Sequence, residues 1–372
     1  MTGDTTSPEA SATLIAVGDI MLGENTLCLG RGVGSVIKNR GASYPFLQVA
    51  SILGQGDIVF GNLEAVLSNN GINKKVLNSL HLRATPEAVE GLKYAGFNIL
   101  SLANNHALEH GQEALDETAN ILLENDIKHV GVDTNTTKAR EPLVMHVKGI
   151  AIAFLSYCLV PDKTAYISIK DPEEIYPDVR KARADADIVV VSLHWGNEYI
   201  QWPSPAQIKL AHQVIDSGAN VILGHHPHVL QGIERYHNGV IAYSLGNFIF
   251  DMWQEKTRRS VILKLRLSKT GVSDMELIPV HINGTYQLEI LQNESAACLL
   301  SEVEDCSSKI VLEDSPESSN CVQRYAAEAA ACRRWYRWEL KWYFLRNLHR
   351  YPPRFALQVV KAYLSKMLSR AS

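Results

Sequence analysis

Residues 187–199 read DIVVVSLHWGNEY and residues 220–228 read NVILGHHPH. In each, a short run of Val, Ile and Leu stops at histidine, the pattern of a strand whose end carries polar side chains. Runs of the same kind recur along the chain. ATLIAV (12–17), DIVF (57–60), NILSLA (98–103), GIAIAFLSY (149–157), VIAYSL (240–245) and SVILKLRL (260–267) also read as strands. Between them PEAVEGLKYAG (86–96), GQEALDETANILLEN (111–125) and PAQIKLAHQVIDSG (205–218) read as helices, two opening on Pro and two closing on Gly. Alternation of strand, loop and helix predicts an α/β layered fold with its chemistry at the carboxyl ends of the strands.

The chain of 372 residues, 46% hydrophobic and 20% charged, is long enough for a sizeable core. Gly and Pro, at 24 and 14, are too few for a collagen-like or low-complexity chain. The net charge of −4 hides an asymmetry. Residues 321–372 hold eleven Lys/Arg against two Asp/Glu, so this tail is basic and residues 1–320 are strongly acidic. An acidic body argues against nucleic acid as a partner. MTGDTTSPEASATLIAVGD, at the start, has no basic segment and no long apolar segment, so no secretory signal is expected. No run approaches the ~18 apolar residues of a membrane span. The six cysteines form no CxxC pair and read as reduced thiols, which makes the cytoplasm the default location.

Polar residues gather where the apolar runs stop. Asp19 follows LIAVG, Asn62 and Glu64 follow DIVFG, and Asn104, Asn105 and His106 follow ILSLA. His194 ends DIVVVSLH, and His225, His226 and His228 follow NVILG. A lone histidine at a strand end is more often a hydrogen-bonded structural residue. Five such strand ends together are harder to assign to structure alone, and they predict imidazole and oxygen ligands converging on one sheet edge around metal.

The ordered blocks AVGDIMLG, GNLEAVLS, SLANNHALEHG, VSLHWGNEY, LGHHPHVLQGIE and YSLGNFIFD, spanning 14–251, resemble the CapA capsule-synthesis (poly-γ-glutamate biosynthesis) family. That family is similar in fold to calcineurin-like metallophosphatases. The resemblance implies an α/β sandwich of two sheets flanked by helices, placed over 12–285; it does not cover the C-terminal helical extension. It also implies one or two divalent ions (Mn, Fe, Zn or Co). Asp19 inherits the first ligand role of an Asp-x-His motif, with Met21 in the place of the histidine. Glu64 takes the bridging position, with Asp57 as fallback. Asn105, His194 and His226 are assigned to the second ion and His228 to the first, and His106 becomes the general acid. Arg83, Glu109, His225 and Asn247 are candidate substrate contacts; Asn247 has a second reading as a support for the ligand loop. Trp195, Asn197 and Glu198, directly after His194, shape the pocket. The expected function is capsule or poly-γ-glutamate biosynthesis, with metal-dependent hydrolysis of a phosphoester or polymer-linked substrate. Two alternatives stand beside it: a non-catalytic protein that binds an anionic polymer or assists a synthase, and a nucleotidase or phosphodiesterase outside capsule metabolism.

Residues 286–320 turn acidic and Ser-rich and read as a linker. Beyond it, 321–372 reads as two helices broken at Pro352-Pro353. Trp335, Trp338 and Trp342 share a helical face, interleaved with Arg333, Arg334, Arg337, Lys341 and Arg346. This face either docks on the α/β body or lies peripherally on a membrane surface.

Overall fold

The structure, a computed structural model, describes residues 10–73, 75–133, 136–160, 171–310 and 318–368. Two sheets face each other. The first runs in the order Leu288–Ile290, Gly271–Ile282, Arg259–Ser268, Ala12–Ile20, Ile58–Leu63, Ile99–Ser101 and Lys128–Val130, with Asn247–Ile249 joining the end of Ala12–Ile20. The second runs Ile233–Tyr236, Gly239–Ala242, Val221–His225, Ile188–His194, Ile150–Cys158 and Leu143–Val147. This is the two-sheet α/β sandwich that the sequence implies.

Strand parity shows why the apolar runs are continuous. Leu14 and Ala16 face the other sheet, while Ile15 and Val17 face the helices; Ile188 and Val190 divide from Val189 and Val191 in the same way. Both faces of the central strands are buried, so both phases of the two-residue period must be apolar. Phe60 and Phe154 stack across the gap between the sheets with centroids 5.9 Å apart. All eight expected strands are present, and Gln112–Glu124 and Pro205–Asp216 occupy two of the expected helices. The third splits into a 3₁₀ turn at Pro86–Ala88 and a short helix at Val89–Tyr94.

Two expectations need correction. Most of the 286–320 linker is ordered secondary structure: a strand at Leu288–Ile290 and a helix at Asn293–Ser308. Leu299, Val303 and Cys306 recur at helical spacing and are buried, the first two in the inter-sheet core. Ser307 Oγ accepts from Ile233 N at 2.9 Å, fixing the helix on a sheet edge. Residues 311–317 of that linker lie outside the described residues, as do 1–9 of the opening segment and 369–372 of the tail.

The second correction concerns the tail, which is helical over Ser318–Arg346 and Pro353–Leu368. It docks on the body mainly through Tyr and Phe residues; of the three tryptophans, Trp335 meets Tyr199 edge-on at 6.4 Å. Tyr325 and Ala329 pack with Ile200, Tyr343 stacks on Trp253 at 3.7 Å, and Phe344, Tyr351 and Phe355 cluster with Leu27 and Leu29. Trp338 and Trp342 stay 54% and 43% exposed. Tyrosine wins the inner face because its hydroxyl finds buried partners there, as Tyr351 does by donating to Leu27 O at 2.9 Å.

Candidate metal centre

Sheet register assembles the site. Asp19 pairs with Asn62 and with Asn247, and His194 pairs with His225. The carboxyl ends of strands from both sheets therefore meet, where a single sheet edge was expected. The Asp19 carboxylate accepts from Asn62 Nδ2 at 2.8 Å and from His226 N at 3.2 Å. Burial alone would raise its pKa. The hydrogen bond and charge of His225, then the charge of His228, outweigh that and hold the carboxyl below its usual range. Asp57 sits at the far end of its strand, tied to Lys148 at 2.7 Å and Thr13 N, which removes it as a bridging candidate.

Glu64 is the centre of the cluster. It is fully buried, and neither carboxyl oxygen has a hydrogen-bond partner among the described residues. Around Oε1 stand Nε2 of His106 at 3.7 Å, of His228 at 3.8 Å and of His194 at 3.9 Å. These separations are too long for hydrogen bonds. They suit nitrogen and oxygen atoms each bound at ~2.0–2.2 Å to a shared cation. Glu64, His194 and His226 offer ligand atoms within 4.8 Å of one another, and so do Asp19, Glu64 and His228. Glu64 belongs to both groups, so the cluster could hold one ion or two on either side of it. Imidazole and carboxylate donors in this mixture suit Mn, Fe, Zn or Co.

The histidines are prepared as neutral ligands. Burial pulls His194 well below the ordinary imidazole range and brings His226 down to about 3. For His228 the tautomer can be read from its neighbour. Asn247 Nδ2 donates to Thr257 O at 3.0 Å, so its Oδ1 faces His228 Nδ1 at 2.9 Å and must accept a proton from it. That leaves the His228 Nε2 lone pair turned toward Glu64. Asn105 Oδ1 lies 2.7 Å from His194 Nε2, which puts both atoms at the same cavity wall. His226 and His228 have φ of +94° and +58°. Such backbone costs about 1–3 kcal/mol per residue and collects where function requires it.

His106 is bonded through Nδ1 to Glu109 Oε2 at 2.6 Å and turns Nε2 toward Glu64. Glu109 would be raised by burial, but the His106 hydrogen bond and charge bring it below its usual range, so it stays ionised and accepting. Three expected substrate contacts are placed elsewhere. His225 is fully buried behind Asp19, 3.2 Å from its Oδ1, with its ring 6.3 Å from Phe60, because it is the last inward-facing residue of its strand. Asn247 is also fully buried, and its contacts are the ones that hold His228. The Arg83 guanidinium donates to the carbonyls of Ser68 and Asn70 and lines a separate cleft beside Glu24 and Lys38.

Residues of all six sequence blocks, from Asp19 to Asn247, meet in this one cluster. The model of the family described as "Bacterial capsule synthesis protein PGA_cap" matches residues 13–252. The chain belongs to this family. Family relatives include the capsule biosynthesis protein CapA of Bacillus anthracis, 34% identical over 73% of this chain and 67% of its own length. The PGA biosynthesis protein CapA of Bacillus subtilis (strain 168) is 36% identical over 72% of this chain and 70% of its own. Among solved structures, a phosphatase of Mycoplasma pneumoniae aligns with 75% of this chain and 96% of its own at TM-score 0.49 and 15% identity.

In this family member Met21 is fully buried in the core beneath the first sheet, so no side chain enters the site from the third position of Asp-x-His. Glu198, which the sequence places in the pocket but not among the ligands, is a further carboxylate of the cluster. It lies with His226 and His228 in a third group of ligand atoms within 4.8 Å. Its position depends on a loop whose turns, at Gly196 (φ +85°) and Tyr199 (φ +67°), have no periodic signature.

Proposed function

We propose that the chain is a metal-dependent hydrolase of capsule or poly-γ-glutamate biosynthesis, acting on a phosphoester or polymer-linked anionic substrate. The observation that carries this reading is Glu64, a buried carboxylate without hydrogen bonds facing three imidazole nitrogens at 3.7–3.9 Å. A structural core does not retain so costly a group without a counter-charge. Asp19, Glu64, Asn105, His194, His226 and His228 hold the ions, and Asn247 fixes the ring of His228. Divalent ions bound there supply polarisation of the scissile group and an acidified water. Glu109 holds the Nδ1–H of His106 and stabilises its imidazolium. The Nε2–H faces Glu64's side of the site and gives its proton to the leaving oxygen, leaving the neutral Nδ1–H imidazole.

The test is hydrolysis of a chromogenic phosphodiester with Mn²⁺, in the parent and in His106→Asn. The variant is expected to keep its bound metal and lose about 10²–10⁴-fold in turnover. A parent that binds metal stoichiometrically and hydrolyses nothing would instead support the accessory, polymer-binding reading.

No helix among the described residues is long and apolar enough to cross a membrane. We further propose that the outer face of Ser318–Arg346 lies on an anionic bilayer surface. Trp338, Trp342 and Leu345 share one face and stay 54%, 43% and 57% exposed, beside exposed Arg334, Arg337 and Arg346. Exposed Trp flanked by Arg matches an interface of acyl chain and anionic headgroup. The parent is expected to co-sediment with phosphatidylglycerol vesicles and not with phosphatidylcholine vesicles. Most of that binding should vanish in the Trp338→Ala/Trp342→Ala double variant; equal binding by both proteins would sink the idea.

A further inference from the structure

We infer that Glu198 is an additional metal-ligating carboxylate of this centre and that the helix Ser318–Arg346 holds it in place, so that ion binding and helix docking are coupled. The inference rests on the metal-site reading above and gives Glu198 a ligand role beyond the six ligand residues assigned there. Met21 leaves the cluster one ligand short, and Glu198 is a further carboxylate beside it. Its carboxylate lies within 4.8 Å of ligand nitrogens on both His226 and His228. His226 already contributes to the Glu64–His194 group, and His228 to the Asp19–Glu64 group. Glu198 therefore shares a histidine with each of the other two groups.

Residues on both sides of Glu198 are gripped by the helix. Asn197 Nδ2 donates to Tyr325 OH at 3.1 Å, and Arg333 donates to Asn197 Oδ1 at 3.2 Å. The Tyr199 ring packs on Tyr336 at 4.3 Å and meets Trp335 edge-on at 6.4 Å. Ile200 is buried against Tyr325 and Ala329. The loop is joined to the ligand turn as well, since Tyr199 N donates to Pro227 O at 2.8 Å and its ring lies 6.3 Å from that of His228. The helix lies beyond residue 252, where the family match ends, so this support for the site stands outside the matched segment. Tyr336 and Arg333 act as positioning residues. They touch the loop, not the ion.

Coupling of this kind is reciprocal: whatever the docked helix adds to ion affinity, the ion adds to helix docking. The experiment is calorimetric titration of full-length protein with Mn²⁺ alone, paired with amide exchange of 318–346 in its presence and absence. Glu198→Gln is expected to weaken Mn²⁺ binding by at least tenfold, within the ~10–100-fold range seen when a site's supporting groups are lost. Tyr336→Ala and the surface variant Arg333→Ala should weaken it less, in the same direction. Mn²⁺ should slow exchange across 318–346 in the parent and leave it unchanged in Glu198→Gln. Parent protein that takes up no Mn²⁺ would overturn the metal-site reading itself. Parent-like affinity in Glu198→Gln would overturn only the role of Glu198. A weakened Glu198→Gln with no effect of Tyr336→Ala or Arg333→Ala, and no change in helix exchange, would overturn the coupling.

Discussion

Glu64→Gln is expected to stabilise the metal-free protein while cancelling most of the stabilisation that Mn²⁺ or Zn²⁺ gives the parent. The two effects have opposite signs because one carboxylate serves two states. Without an ion, Glu64 is fully buried with both oxygens unpartnered. Burial, followed by the charges of Asp19, Glu198 and Glu109, pushes its pKa well above the usual range. An acid whose folded pKa is raised keeps its proton in the native state after the unfolded chain has released it. Stability then falls as pH rises above ~4.5, until the folded group also ionises. Gln does not titrate and removes this pH-linked penalty, which grows by about 1.4 kcal/mol for each pH unit above the unfolded pKa until the folded group ionises. With the ion, the carboxylate is the ligand shared by two donor groups, and its loss removes ligand-linked stabilisation worth ~4 kcal/mol at a thousandfold excess over Kd. Thermal unfolding of parent and variant at neutral pH, with and without metal, measures both. A metal-free variant that melts below the parent, or an undiminished metal shift, would refute the assignment. His225→Ala serves as the contrast. Its ring stands behind Asp19 and belongs to none of the three ligand groups, so a metal shift should survive there and be lost in His226→Ala.

What the sequence made legible follows from burial. The central strands are apolar in both phases, so their runs and their polar ends are visible without any partner strand. Gly271–Ile282 was missed because it is half-covered and shows no clean two-residue period, with exposed Ser273, Asp274 and Glu276 in its first half and buried residues gathered at Pro279–Ile282. Asn247–Ile249 was missed because three residues are too few to show a period. The helix at Asn293–Ser308 hid behind acidic and Ser-rich composition, although Leu299, Val303 and Cys306 carry its apolar stripe. In the cleft, residues fixed by strand ends could be named in advance. Asn247 could be named as a support for the ligand loop, though not the ring it holds, whereas Glu198 could not be given a ligand's part because its placement depends on a turn without periodicity. The sequence also suggests that Trp335, Trp338 and Trp342 are the docking face. Only the packed structure shows that the tyrosine face has polar partners on the body, including Cys28 Sγ, 3.8 Å from Tyr343 OH.

Gly224→Ala is expected to be the most damaging methyl group that can be added next to the site. Gly224 directly precedes His225 on a central strand of the second sheet. A Cβ built there would lie 1.9 Å from Tyr243 O and 2.4 Å from Tyr243 C, where ordinary contact needs at least 3.4 Å. The obstacle is backbone, so no rotamer change relieves it. Tyr243 cannot retreat freely either. Its carbonyl accepts from Trp195 Nε1 at 3.0 Å, its ring stacks on Trp195 at 5.9 Å, and its hydroxyl donates to Glu234 at 2.8 Å. Relief requires parting this strand from its neighbour, which breaks those contacts and shifts the His225–His228 turn. The cost should reach or exceed the upper end of the ~1–3 kcal/mol range for overpacked cores. Gly284→Ala, with nothing within 4 Å of the added carbon, should stay within about 0.5 kcal/mol of the parent. Urea unfolding of the three proteins compares them directly. Whatever fraction of Gly224→Ala folds should also lose affinity for Mn²⁺, because His226 and His228, the proposed ligands, lie on the turn that this strand leads into. A Gly224→Ala protein with the parent's urea midpoint would show that the second sheet tolerates a strand separation that this packing excludes.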